Sequence, residues 1–258
     1  MLPVRGWRKA LRRRWTDRGW IVPIESKRKV RARRDVLVNH ALGDPHGMGM
    51  LSLMMHNAKV EPRSQFLFQN LRKGDVCIDC GMNVGIVSDM MLHMKATVYG
   101  FEPHPKLFTF LKQKYEGNDS ISLYPQAVWH TPGEMKFHIN SNEDEKLLDW
   151  SQQASLVAGA GREQFEVEAI DVDVIDLTEW IRAEILPRHG EVYLLKIDIE
   201  GAEFELIEKL IETKLYESIR YIVCETHARF VTDGPEKLAH IEALIREHNI
   251  TNINLEWV

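Results

Sequence analysis

From residue 75 onward, short apolar runs alternate with amphipathic segments: DVCIDC (75–80), VGIVSDMMLHMK (84–95), ATVYGFE (96–102), PKLFTFLKQKYEG (105–117) and SISLYPQAV (120–128). The apolar runs, bounded by Gly or acidic residues, read as buried strands, and the segments between them carry helical periodicity. Strand–helix–strand repetition at this spacing needs crossover connections, so the strands must lie parallel with helices covering both faces of the sheet. After an interruption the alternation resumes with EVYLLKID, a helix from Ala202, RYIVCET (220–226), PEKLAHIEALIREHN (235–249) and a final NINLEWV. The expected fold class is therefore α/β, a Rossmann-like, doubly wound and mostly parallel sheet.

The interruption covers residues 133–180. GEMKFHI and FEVEAIDVDVIDL alternate like strands and flank a polar stretch that contains SQQASLVAGAG. A loop of this length inside a compact domain usually carries function, and this one is expected to contribute to the acceptor site. The chain divides into a lead-in (1–60) and a domain (61–258). Within the lead-in, residues 1–34 hold 13 Lys or Arg against Asp17 and Glu25, a net of +11, whereas the whole chain has a net charge of −5. RGWRKALRRRW places Trp7, Leu11 and Trp15 on one stripe of a basic helix. Such an arm suits an anionic membrane surface or nucleic-acid phosphate, or it packs its tryptophans on the acidic body. Residues 35–60 read as a loop-rich connection whose His40, His46 and His56 lack metal-binding spacing. Cys77 and Cys80 form a CxxC without a second ligand pair, so the three cysteines read as packing residues of a reducing compartment. No run approaches the length of a membrane span, and nothing after the basic start resembles a signal peptide. A cytoplasmic location is expected, peripheral to a membrane if the arm binds one.

Chemistry concentrates at the expected strand ends. IDCGMNVG (78–85) closes the first strand and opens a helix; Gly81 and Gly85 permit a tight turn and close backbone approach to a ligand. The spacing is neither GxGxxG nor a P-loop, and no basic residue accompanies the glycines, which favours a nucleoside cofactor without phosphates. Asp79, at the strand end, is placed to accept from an ammonium or to orient the loop. The second strand ends in GFEP, where Glu102 is positioned to grip both ribose hydroxyls. The run LLKIDIEGAEFELIEKL (194–210) ends a buried strand in Asp198, Glu200 and Glu203, like charges that core packing does not explain. Asp198 is the first candidate for positioning an acceptor or removing its proton. Lys196 shares its side of the strand, and Glu200 follows in the turn. In VCETH, Glu225 and His227 share a face by period two, and His227 is the alternative base because its ordinary pKa is near neutral. Asp198, Glu225 and His227 together have the donors for a divalent ion, but such sets are commonly hydrogen-bonded networks, so no metal is assigned.

VCIDCGMNVG, GFEPHP, KIDIEGAE and VCETH together resemble the FkbM family of methyltransferases, over roughly residues 62–227. The resemblance implies a class I methyltransferase fold, S-adenosylmethionine as methyl donor, and O-methylation of a hydroxyl on a sugar, glycan or other small metabolite. It also implies that Met82, Asn83, Phe101, Pro103, Ala127, Val128 and Asp198 border the cofactor beside Asp79, Gly81, Gly85 and Glu102. Cys80 and Met82 fill the variable places of the family's DxGANxG. Beyond VCETH the family pattern adds a helix and an antiparallel strand pair, but only NINLEWV follows the last helix here. The sheet edge is thus expected to be incomplete, or completed by the N-terminal segment or by a partner chain in an oligomer. The competing function is a nucleic-acid methyltransferase that uses residues 1–34 as a phosphate-binding arm; the [DNS]PP[YFW] motif of base amino-group methylation is missing, which favours the small-molecule or glycan acceptor.

Overall fold

The computed structural model describes residues 67–68, 70–140 and 167–257, with the backbone alone for Asn140, Val167 and Glu168. The basic arm, the loop-rich lead-in, nearly all of the helix expected from residue 62 and the polar stretch 141–166 lie outside the described residues. Residues Leu71–Trp257 form one compact unit.

Its centre is a six-stranded sheet in the order β3-β2-β1-β7-β8-β9. β1 (Val76–Cys80), β2 (Thr97–Phe101) and β3 (Ile121–Tyr124) run outward on one side; β7 (Val192–Ile197), β8 (Ile219–Cys224) and β9 (Ile253–Asn254) run outward on the other. All neighbouring pairs are parallel. The order reverses between β1 and β7, and ligands bind in such sheets outside the carboxyl ends at the reversal. β1 and β7 are buried along their whole length. Apart from Asp79 and Lys196, both are apolar along their length, which reflects cover on both faces.

α1 (Ile86–His93) and α2 (Pro105–Lys114) connect the first three strands. α2 is capped by His104, whose Nδ1 accepts from Lys106 N, with Pro105 at the first helical position. Alternate residues of the central strands, Ile78, Cys80, Leu195 and Ile197, join one large apolar cluster with Phe204, Ile207 and Leu210 of α5 (Glu203–Glu212). α6 (Gly234–Glu247) packs beside α5 and supplies Ile241 to that cluster. Cys77, Cys80 and Cys224 are buried free thiols, as expected of packing residues, and burial pushes each thiol pKa up.

Two expectations need correction, at SISLYPQAV and at the C-terminal edge. SISLYPQAV is not one strand: Ile121–Tyr124 completes the main sheet, whereas β4 (Ala127–Trp129) enters a second, three-stranded sheet. Pro125 stands between them and has no N–H with which to continue a ladder. Both strands expected within 133–180 are present. β5 (Gly133–Asn140) pairs antiparallel with β6 (Val167–Asp176), and β6 also carries β4 in parallel register. A helical segment then follows that the hydrophobic pattern did not announce: α3 (Leu177–Trp180), a π turn (Ile181–Ile185) and α4 (Leu186–His189). Asp176 starts it by accepting from Thr178 N and Glu179 N. At the C-terminal edge, the chain's own NINLEWV supplies the short parallel strand β9, and a further bridge joins Glu225 to Glu256. Among the described residues, no helix is long and apolar enough to cross a membrane.

Candidate functional site

The loop after β1 is tied to the tip of β2 by its own backbone. Gly81 N and Met82 N both donate to Phe101 O. Gly81 has φ +76, and a Cβ there would run into the carbonyl oxygen of Asp198 at the tip of β7. The residue is thus glycine for two reasons, a left-handed backbone and the close passage of a neighbouring strand. Asn83 is also left-handed (φ 57), and its Oδ1 accepts from Val84 N. From behind, α2 clamps the start of α1: Tyr115 Oη donates to Gly85 O at 2.8 Å, and Lys114 Nζ donates to Val84 O at 2.8 Å.

Glu102, at the end of β2, faces this loop. Its Oε2 accepts from Asn83 N at 2.7 Å and its Oε1 from His104 N at 3.0 Å. The side chain is buried, and burial pushes its pKa up to about 7 even though those two N–H groups and Lys196 favour the charged form. Each oxygen accepts a single backbone N–H, so acceptor capacity remains on both.

Below the loop, Asp79 and Lys196 are register partners on β1 and β7. Both side chains are buried, with Lys196 Nζ 3.2 Å from Asp79 Oδ1. The same ammonium donates to Gly81 O at 2.6 Å and Cys80 O at 3.3 Å, and lies 3.4 Å from Asp198 Oδ2. Burial alone would lower the Lys196 pKa, but Asp79 and Asp198 outweigh it and hold the group above its ordinary value. Ser88 Oγ, from α1, donates to Asp79 Oδ2 at 2.7 Å. Asp79 and Lys196 therefore build the floor that carries the glycine loop, a supporting position for both residues.

The carboxylates that end β7 meet His227. The imidazole Nε2 lies 3.4 Å from Glu200 Oε2 and 3.9 Å from Asp198 Oδ1, and Nδ1 lies 3.3 Å from Glu203 Oε1. Glu203 is fully buried and held by Gly201 N at 2.7 Å and His227 N at 2.6 Å. Glu200 reaches the cluster from a left-handed backbone (φ 55). For His227, burial would lower the pKa, but Glu203, Glu200 and Asp198 together raise it to about 9. Among these carboxylates the ring favours its protonated form while no other cation lies between them.

A cleft of about 580 Å³, counting space open to solvent, lies between these groups. Gly81, Asn83, Phe101, Glu102, Pro103, Ala127, Val128, Asp198 and Glu200 border it. Met82 departs from expectation: its thioether is packed on Gly100 in a cluster with Leu111 and Tyr115, and it faces away from the cleft. Gly85 shapes the turn from behind. Glu225 is buried and joined to the C-terminal segment through the bridge to Glu256; it is Glu200, not Glu225, that completes the set with Asp198 and His227. Gln126, Leu107, Phe137 and Ile199 also line the cleft, and no sequence signal singled them out. Gln126 Oε1 is buried there without a hydrogen-bond partner. A buried orphan acceptor on a cleft wall is the kind of group a ligand satisfies.

Comparison with known proteins gives one consistent result. The model of the methyltransferase FkbM domain matches residues 79–250. The hexuronic acid methyltransferase AglP of Haloferax volcanii is 24% identical over 191 residues, covering 74% of this chain and 71% of the relative. The 31-O-demethyl-FK506 methyltransferase FkbM of Streptomyces tacrolimicus is 26% identical over 209 residues, covering 70% and 74% respectively. The methyltransferase sdnD of Sordaria araneosa is 26% identical over 215 residues, covering 73% and 79%.

Proposed function

Because this chain belongs to the FkbM methyltransferase family and is a methyltransferase, we propose that it transfers a methyl group from S-adenosylmethionine to a hydroxyl of a sugar, glycan or similar small metabolite. The observation that carries the reading is Glu102, which accepts from Asn83 N of the Gly81–Gly85 loop on one oxygen and from His104 N on the other, in the same cleft as Asp198 and Glu200.

The residues present fit the donor. Glu102 has an acceptor oxygen for each ribose hydroxyl, Gly81 leaves the space a Cβ would fill, and the orphan amide oxygen of Gln126 suits the amino group of an adenine. Leu107, Val128 and Phe137 add apolar surface for the base. The donor supplies a methyl carbon activated by a positive sulfur, and the acidic wall of Asp198 and Glu200 is compatible with that charge. Asp198 accepts the proton of the acceptor hydroxyl as its oxygen attacks the methyl carbon. The new O–C bond forms while the S–C bond breaks, and sulfur keeps the electron pair. Because the reaction is an in-line displacement, alignment of the two reactants supplies much of the rate.

AglP and FkbM bear the names of a hexuronic acid methyltransferase and a 31-O-demethyl-FK506 methyltransferase, and a hydroxyl-bearing acceptor follows by analogy with them. The test measures heat on titration with S-adenosylhomocysteine and, separately, transfer of a labelled methyl group to fractionated hexuronic and neutral glycans. Asp198→Asn is expected to keep the heat and to lose transfer by about 10²–10⁴-fold, the range for removal of a general base. Absence of heat from wild-type protein would sink the donor assignment.

A further inference from the structure

We propose that Asp198, Glu200 and His227 form a binding site for one divalent cation of the Mg²⁺ or Mn²⁺ class at the acceptor end of the cleft. The site itself stands on geometry; its role in transfer rests on the function proposed above.

The three residues each offer one donor atom, and these atoms lie within 4.8 Å of one another. Two of the separations discriminate between an ion site and a simple ion pair. Nε2 of His227 is 3.4 Å from Glu200 Oε2 and 3.9 Å from Asp198 Oδ1. A direct N–H···O bond between charged partners closes to about 2.7–2.9 Å. Ligand atoms bound about 2.1 Å from one ion, at angles near 90–110°, lie roughly 3.0–3.5 Å apart. Both separations are wide for a hydrogen bond; the 3.4 Å one falls in the range for atoms sharing an ion, and the 3.9 Å one reaches it if Asp198 moves by about half an ångström.

The far side of the ring points the same way. Ion-binding imidazoles generally turn their second nitrogen to a carboxylate that fixes the ring and its tautomer. His227 Nδ1 faces Glu203 Oε1 at 3.3 Å, and Glu203 is itself locked by two backbone N–H groups. The His227 side chain is only 4% exposed, and its Nδ1 has no well-aligned hydrogen-bond partner. A deeply buried ring set between fixed carboxylates, with Nε2 aimed between two of them, is poorly explained as packing. Asp198 divides its oxygens, Oδ2 toward Lys196 and Oδ1 toward His227. Two oxygens and one nitrogen suit a hard or borderline divalent ion, and three protein ligands leave positions open toward the cleft.

In the reaction, a hydroxyl occupying one open position loses its proton more readily, because the cation stabilises the charge developing on oxygen. Asp198 then serves as a ligand, and the proton passes to water in the cleft. The O–C bond still forms as the S–C bond breaks, so the ion changes where the proton goes and leaves the displacement unaltered.

The experiment titrates Mn²⁺ into the chelator-treated full chain, following the loss of the free-ion electron paramagnetic resonance signal, with S-adenosylhomocysteine calorimetry on the same preparation. One Mn²⁺ bound per chain is expected. Glu200→Gln is expected to weaken binding by about 10–100-fold, and His227→Ala by at least as much if it folds. Glu225→Gln, the ligand favoured by strand alternation alone, is expected to stay within about twofold of wild type. Should His227→Ala not fold, the partly exposed Glu200 decides the matter. No Mn²⁺ binding by a chain that still binds S-adenosylhomocysteine overturns the ion site and leaves the donor reading intact. Mn²⁺ binding without that heat supports the ion site and overturns the donor reading. Binding unaffected by Glu200→Gln, or lost with Glu225→Gln, overturns the ligand set.

Discussion

If Glu102 grips the ribose as proposed, its burial couples cofactor affinity to pH. In the free protein its pKa stands at about 7 against an ordinary 4.5, chiefly because it is buried. A pKa raised on folding contributes stability that is fully present below the unfolded value, near 4.5, and is lost as pH rises through about 7. The shift corresponds to about 3 kcal/mol of cost once the group is ionised in the free protein, at 1.36 kcal/mol per unit. Ribose hydroxyls donating to both oxygens favour the charged form and draw the pKa down again. Ligand binding therefore expels a proton below about pH 7 and none well above it. If bound Glu102 titrates near its ordinary value, affinity rises by about 100-fold between roughly pH 5 and 7 and then levels. The cleanest probe is 5′-methylthioadenosine, which has no amino-acid portion to titrate in that window. Calorimetry in buffers of different ionisation enthalpy counts the proton released. Glu102→Gln is expected to bind more weakly and without pH dependence. An affinity that is flat across this range in the wild type, with no proton released, would refute the reasoning.

Other perturbations give distinct readouts. Lys196→Met leaves Asp79 and Asp198 without their shared cation; a loss of about 3–5 kcal/mol in urea unfolding is expected, the cost of breaking a buried ion pair from one side. Gly81→Ala forces a Cβ into the Asp198 carbonyl at a left-handed position, so donor binding by calorimetry should fall at least tenfold, with a stability loss of about 1–3 kcal/mol. Tyr115→Phe removes the hydroxyl that donates to Gly85 O and Asp89 Oδ1; thermal unfolding should report a loss of about 1 kcal/mol, with a smaller effect on turnover than Asp198→Asn.

What was legible in the sequence follows the range over which each rule holds. The β1–glycine loop–α1 unit and the Glu102 tip were legible because strand periodicity, left-handed turns and crossover spacing are local properties. Gly81 and Gly85 do occupy left-handed positions, and Glu102 does face the loop. Period two also joined Lys196 to Asp198 correctly, since Asp198 N still bonds Cys80 O one residue past the end of β7. It failed for the Glu225–His227 pair: Glu225 is still bridged to Glu256, but the chain has left the extended strand by His227 (φ −104, ψ 29), so alternation no longer holds between them. Glu200 entered the cluster through a single left-handed φ, which sequence pattern did not specify for a glutamate. The two-sheet split of residues 121–129 turned on Pro125, read at first as part of one apolar run. Gln126 lies at that split, and its relation to the cleft emerges only once β4 has left the main sheet.

One ammonium links both halves of the site. Lys196 Nζ holds the carbonyl of Gly81, which belongs to the loop assigned to the donor, and faces Asp198, which belongs to the side assigned to the acceptor. The backbone makes the same connection, since Asp198 N donates to Cys80 O at 3.1 Å and Glu225 N to Ile197 O at 3.0 Å. An in-line displacement is sensitive to the distance and angle between attacking oxygen and methyl carbon, and errors of about 1 Å cost on the order of 100-fold in rate. Under the proposed function, both reactants are anchored to adjacent parallel strands, and those strands to one buried cation, which removes the freedom that would produce such errors. The carboxylates ending β7 are therefore tolerated so near one another because each is assigned a partner: Lys196 beside Asp198, backbone N–H groups on Glu203, and His227 turned toward all three.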